Sequence, residues 1–244
     1  MINLKSDLHV HSSEYSNDSQ SNLLENVRAA REAGLTTLGL ADHVRHSSKW
    51  LSAKAAAIED ARKIGGIEIL NGVEAKMLNR VGDLDIPNEL YGVDFILIAD
   101  HQFPSENGPV DPKELRAMIL NSQIETKEVL DCLIEATVHA IQNARKLQCS
   151  AVLAHPFSLL TKIGLSEIDI DVKSIYELGA AMVSTNTALE INEKWNCPGG
   201  EFITALSGLG VKMVAGSDAH TSEDIGRFIG VSAKINSSNP GMLV

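Results

Sequence analysis

Thr36-Thr37-Leu38-Gly39-Leu40-Ala41-Asp42-His43 is the stretch on which the fold turns. A short apolar, β-branched run reads as a strand buried on both faces, and it stops on an acid and an imidazole. The same arrangement returns along the chain, in Asp7-Leu8-His9-Val10-His11, Gly72-Val73-Glu74, Ala99-Asp100-His101, Ala154-His155-Pro156 and Gly216-Ser217-Asp218-Ala219-His220. Glu190-Ile191-Asn192 closes one further run. Seven strands are expected, ending near Val10, Asp42, Ala75, Ala99, Ala154, Ile191 and Ala215, with helical periodicity between them. Such alternation predicts repeated β-α units around a parallel sheet, an α/β fold.

The connecting helices carry their own punctuation. Asn22 with Glu25 three residues on reads as a capped start, and Gly34 as the stop. A second helix is expected from about Leu51 to Ile64, before Gly65-Gly66, and a longer one, broken along its course, from Pro112 toward Leu147. Asn236-Ser237-Ser238-Asn239-Pro240-Gly241 is rich in turn formers and reads as a tail. At 244 residues the chain has the length of one α/β barrel, so a single domain over 1–244 is expected.

Composition narrows the function classes. Lysine and arginine total 21 against 32 acids, and the net charge of −11 argues against a broad nucleic-acid or anionic-membrane surface. Bound divalent cations can still reverse the sign at one pocket. Cys132, Cys149 and Cys197 are too few and too far apart for a disulfide framework or a thiolate zinc knuckle. The start, Met1 to Asp7, carries charge where a secretory segment is apolar, and no run approaches the roughly 20 residues of a membrane span. A cytoplasmic protein is expected.

The strand ends carry the chemistry. A period of two sends His9 and His11 to one face. In a parallel barrel all strand C-termini open on one mouth, where distant residues converge. Six of the eight histidines hold such positions, whereas a lone His-x-His would as readily be a polar strand face. Imidazole with carboxylate and no thiolate suits Zn, Mn or Fe. The ligands outnumber what one tetrahedral ion needs, so two or three divalent cations are expected, with Glu74 bridging.

Together, Asp7-x-His9-x-His11, Ala41-Asp42-His43, Gly72-Val73-Glu74, His155-Pro156 and Gly216-Ser217-Asp218-Ala219-His220 resemble the PHP (polymerase and histidinol phosphatase) superfamily over nearly the whole chain. The resemblance implies a distorted seven-stranded (β/α)7 TIM-like barrel with a trinuclear site. It implies that His9, His11, Glu74 and Asp218 hold one ion and Glu74, His101 and His155 a second. The third would take His43, His220 and a residue of the loop after the first strand, where Asp18 is the candidate and Glu14 its competitor. The activity implied is hydrolysis of a small-molecule phosphate ester by a metal-activated water, with Glu74, Asp218, His220 and Asp42 in the catalytic set. Arg227, Arg45, Lys76 and Arg80 are candidates to clamp phosphate oxygens. The leaving-group proton could come from a second bound water, Asp42, His46 or Asp100. Glu190 and Asn192 read as pocket lining, and His139 as a surface or satisfied helix group. Histidinol-phosphate phosphatase is one specific alternative. A noncatalytic metal-binding module and an amidohydrolase-like enzyme are the others, and an exonuclease role is disfavoured because no polymerase body is present.

Overall fold

The computed structural model describes residues 2–238. Its strands are β1 (Ser6–Val10), β2 (Thr37–Val44), β3 (Glu68–Lys76), β4 (Phe95–Ala99), β5 (Phe103–Ser105), β6 (Gly108–Val110), β7 (Ser150–Leu153), β8 (Ala188–Asn192) and β9 (Met213–Gly216). Seven pair in parallel in the order β1-β2-β3-β4-β7-β8-β9. The seam between first and last is nearly closed. The His11 N–H donates to the Ala219 carbonyl at 3.0 Å, and the Ala219 N–H donates to the His9 carbonyl at 3.2 Å. The distortion is local to β1, whose register against β2 shifts between Asp7 and Val10. The expected seven-stranded barrel is therefore the fold.

Around the sheet run α1 (Leu23–Glu32), α2 (Leu51–Arg62), α3 (Pro112–Leu120), α4 (Thr126–Ala144), α5 (Ser158–Ile163), α6 (Val172–Thr185), α7 (Gly200–Gly208) and α8 (Ile229–Ser238). Asn22 caps α1 as its spacing implies. Its Oδ1 accepts the Glu25 N–H at 2.9 Å, and Glu25 accepts the Asn22 N–H at 2.8 Å. The long helix after Pro112 is two, α3 and α4, separated by a turn in which Ser122 has φ 53°. No helix of the described residues is long and apolar enough to cross a membrane.

Two elements differ from expectation. Between β4 and α3 lies the hairpin β5–β6, whose prolines, Pro104 and Pro109, masked it in the sequence. At the other end, Asn236 to Ser238 continue α8, because Val231 and Ile235 bury against Ile203 and Phe228 and packing overrides turn propensity. The rest of the expected tail, 239–241, lies outside the described residues.

Strand alternation separates two cores. Phe95 and Leu97 point into the barrel with Ala41, Val152 and Ala154, while Ile96 and Ile98 point outward into the helical layer. The Phe95 ring fills the interior so closely that a Cβ on Gly72 would lie 2.2 Å from it. That packing seals the barrel below Glu74, two residues further along β3, and leaves only the opposite mouth for polar chemistry.

Candidate metal centre

At that mouth the strand ends meet. His9 and His11 are fully buried and aim their Nε2 atoms at one another, 3.1 Å apart. Glu74, from β3, stands at the hub. Its Oε1 is 2.7 Å from His155 Nε2 and 2.9 Å from His101 Nε2, and its Oε2 is 2.7 Å from His43 Nδ1. Asp218 Oδ1 lies 3.5 Å from His11 Nε2 and 3.9 Å from His9 Nε2. Asp18 Oδ2 lies 3.2 Å from His43 Nε2 and 3.1 Å from His220 Nε2. Asp218 and His155 both adopt positive φ, 55° and 27°, conformations uncommon outside glycine that recur where function fixes the backbone.

This donor set fits divalent cations. Four groups of three have ligand atoms mutually within 4.8 Å: His9-His11-Glu74, His9-His155-Asp218, His43-Glu74-His101 and His11-His43-His220. Glu74 Oε2 is buried without a hydrogen bond. His43 Nδ1 is near enough but not aligned, as two ligands are when both face a third centre.

Charge tells the same story. Burial penalises the charge on His9, yet Glu190, Asp218 and Glu74 overcome it and hold the imidazole well above its ordinary range. His155 is likewise pushed up to about 10, against burial, by Asp100 and Glu74. Burial alone dominates at His11, which falls to about 4. Glu74 and Asp218 stay below the usual carboxylate range despite burial, held there chiefly by His101 and His9 for the first and His9 and His11 for the second. Buried carboxylates at this density require positive charge between them. Divalent cations placed between them would supply it, with the imidazoles bound as neutral ligands.

A second layer orients the first. Glu190, read from sequence as lining, accepts from His9 Nδ1 at 2.7 Å and from the His155 N–H at 2.5 Å, which turns His9 Nε2 toward the cluster. It fits only because residue 216 is glycine, where a Cβ would meet Glu190 Oε1 at 1.8 Å. Asp100 accepts from Ser158 Oγ at 2.7 Å and lies 3.5 Å from His155 Nδ1. Asp42 is fully buried, accepting from the Ser12 N–H and from Ser16 Oγ, which also contacts His11 Nδ1. Lys54, 1% exposed, crosses from α2 to reach Asp42 Oδ2 at 2.6 Å and the carbonyls of Leu40 and Gly72. Burial would raise Asp42, but Lys54 and His11 hold it below the ordinary range. Asp42 thus sits behind the histidines, held by Ser12, Ser16 and Lys54.

The candidate cations divide. Arg45 and Lys76 line a groove of about 710 Å³ that also contains Asp18, His43, Glu74 and His101. Arg227 borders a smaller cleft beside Asp218 and His220. Arg80 does not join them, being paired with Glu135 and Glu106. Glu14, the competitor of Asp18, accepts the Leu23 N–H at the start of α1 instead. His46 and His139 bond the carbonyls of Ile86 and Arg80. Sequence reasoning passed over Lys162, Lys194 and Trp195, which share a cleft with His43, His101 and Asp218. Nothing in their spacing distinguishes them from ordinary surface residues.

Comparison with known proteins agrees with this architecture. A probable phosphatase of Thermoanaerobacter sp. (strain X514) is 28% identical over 232 residues, 91% of this chain and 81% of the relative. A probable phosphatase of Clostridium acetobutylicum is 26% identical over 239 residues, covering 95% and 85%. The crystal structure of a "putative histidinol phosphatase" from Listeria monocytogenes superposes with a TM-score of 0.61 at 15% identity, covering 91% of this chain and 97% of that one, a likeness of fold. The family model of the PHP domain matches residues 7–194, from the first strand to the loop after β8. By that match, on a barrel whose mouth gathers six histidines, the chain belongs to the PHP domain family.

Proposed function

We propose that this chain is a metal-dependent phosphoesterase that hydrolyses a small-molecule phosphate ester by direct attack of water. The observation that carries the reading is Glu74, whose two buried oxygens reach His101, His155 and His43 within 2.9 Å. His9, His11, Glu74 and Asp218 would hold one cation, Glu74, His101 and His155 a second, and Asp18, His43 and His220 a third, with Zn, Mn or Fe the ions such donors prefer. Bound there, divalent cations lower the pKa of water and neutralise charge building on phosphate oxygens. The chain's own residues do the rest. Glu190 and Asp100 fix the imidazole orientations, and Arg45, Lys76 and Arg227 are placed to grip and orient the phosphoryl group. The probable-phosphatase names of the curated relatives support the same reaction.

Two measurements test this. Protein loaded with Mn or Zn is expected to hydrolyse p-nitrophenyl phosphate and members of a phosphometabolite panel, to lose the activity to a chelator and to regain it on metal return. Negligible turnover across the panel with the sites filled would overturn the proposal. Metal at a hundred times its Kd should also stabilise the fold by about 2.7 kcal/mol, read as a Tm rise of several degrees. An unchanged Tm would dismiss the assigned ligands.

A further inference from the structure

The loop after β8, residues 193–197, faces the cluster with side chains that are not among its candidate ligands. Four hydrogen bonds fix its shape. Glu193 accepts the Gly230 and Val231 N–H groups at the start of α8, both at 2.9 Å. Asn192 Oδ1 accepts the Trp195 N–H at 2.9 Å, and Lys234 donates to the Asn196 carbonyl at 2.7 Å. The pinned loop presents Lys194, whose Nζ lies 3.3 Å from Asp218 Oδ1, and Trp195, whose ring centroid is 6.2 Å from that of His155. From α5, Lys162 brings its Nζ to 4.3 Å from the Trp195 centroid. Lys162, Lys194 and Trp195 line one cleft of about 290 Å³ with His43, His101 and Asp218.

The two lysines differ in their surroundings. Lys194 already contacts a cluster carboxylate. Lys162 pairs with no carboxylate among the described residues and rests on an aromatic face, which attracts a cation without neutralising it. In a chain of net charge −11 an ammonium left free beside a metal site is an attractor for a second negative group. We propose that Lys162, Trp195 and Lys194 form an anion subsite beside the metal centre, so that the substrate is a phosphomonoester carrying a further carboxylate or phosphate on its leaving group. A leaving group bearing an amine, as in histidinol phosphate, meets repulsion at the same place.

The word substrate rests on the phosphoesterase reading, but the subsite can be tested without turnover. Calorimetry on the Mn-loaded protein would compare butylphosphonate with 4-phosphonobutyrate, butane-1,4-bisphosphonate and 4-aminobutylphosphonate. Either ligand with a second anionic end is expected to bind about tenfold more tightly than butylphosphonate, the scale of one charge-assisted hydrogen bond, and the amine more weakly. Whichever of the carboxylate and bisphosphonate gains more identifies the second group. Lys162→Ala should erase the preference and Lys162→Arg retain it. Equal affinities in the wild type, no phosphonate binding, or a preference that survives Lys162→Ala would overturn the subsite. Phosphonate binding with the expected preference but no ester hydrolysis would instead overturn the phosphoesterase reading and leave the subsite standing.

Discussion

Glu74→Gln is expected to leave the purified protein short of bound metal and to lower turnover by more than the roughly 100-fold that changes outside the ligand shell cost. The substitution keeps the volume and removes both the charge and one acceptor. An amide NH2 would then point at imidazole nitrogens that now lie within 2.9 Å of a carboxylate oxygen. Elemental analysis and phosphatase kinetics on the same sample check both halves. Wild-type metal content in the variant would remove Glu74 from the hub.

Lys54→Met should destabilise the fold by about 3–5 kcal/mol, the usual result of removing one partner from a buried ion pair. The side chain is 1% exposed and its ammonium holds Asp42 and two strand carbonyls. Its loss leaves the buried Asp42 without its one direct ion-pair partner among the described residues. Pairing the change with Asp42→Asn is expected to recover most of the loss in denaturant melts, because an amide needs no counter-charge. The pH dependence has a definite sign. Asp42 is held below its ordinary 3.8, so its charged form contributes stability above that value and loses it as pH falls. The double variant should lack this acid-side contribution. A loss under about 1 kcal/mol for Lys54→Met would show that water reaches the pair.

The fold and the cluster of candidate ligands were legible because they are written locally. Six of the seven barrel strands are apolar runs that stop at or just before a histidine or carboxylate of the cluster, and the two-residue repeat of His9 and His11 dictates a shared face without knowledge of any neighbour. Supporting groups were not legible in this way. Lys54 follows Leu51-Ser52-Ala53 in a helix where lysine ordinarily faces solvent, and only the packing of α2 over Leu40 and Gly72 makes it internal. Glu190 was noticed as a strand end, but its role depends on the absent side chain at Gly216, a fact about two strands together. Asp42 shares its tripeptide with His43 yet points to the opposite side of β2, toward Lys54. Arg80 lies close to Glu74 in sequence and far from it in purpose, because the loop it occupies turns to meet α4 through Glu135.

The closure of β1 onto the segment after β9 bears on how the protein matures. His9 and His11 leave the ribosome with the first strand of the barrel, while Asp218 and His220 follow only after the last. A nascent chain therefore carries an open half-cage of acids and imidazoles until the last strand is made, and the cage is whole only once the two rims of the cylinder have met.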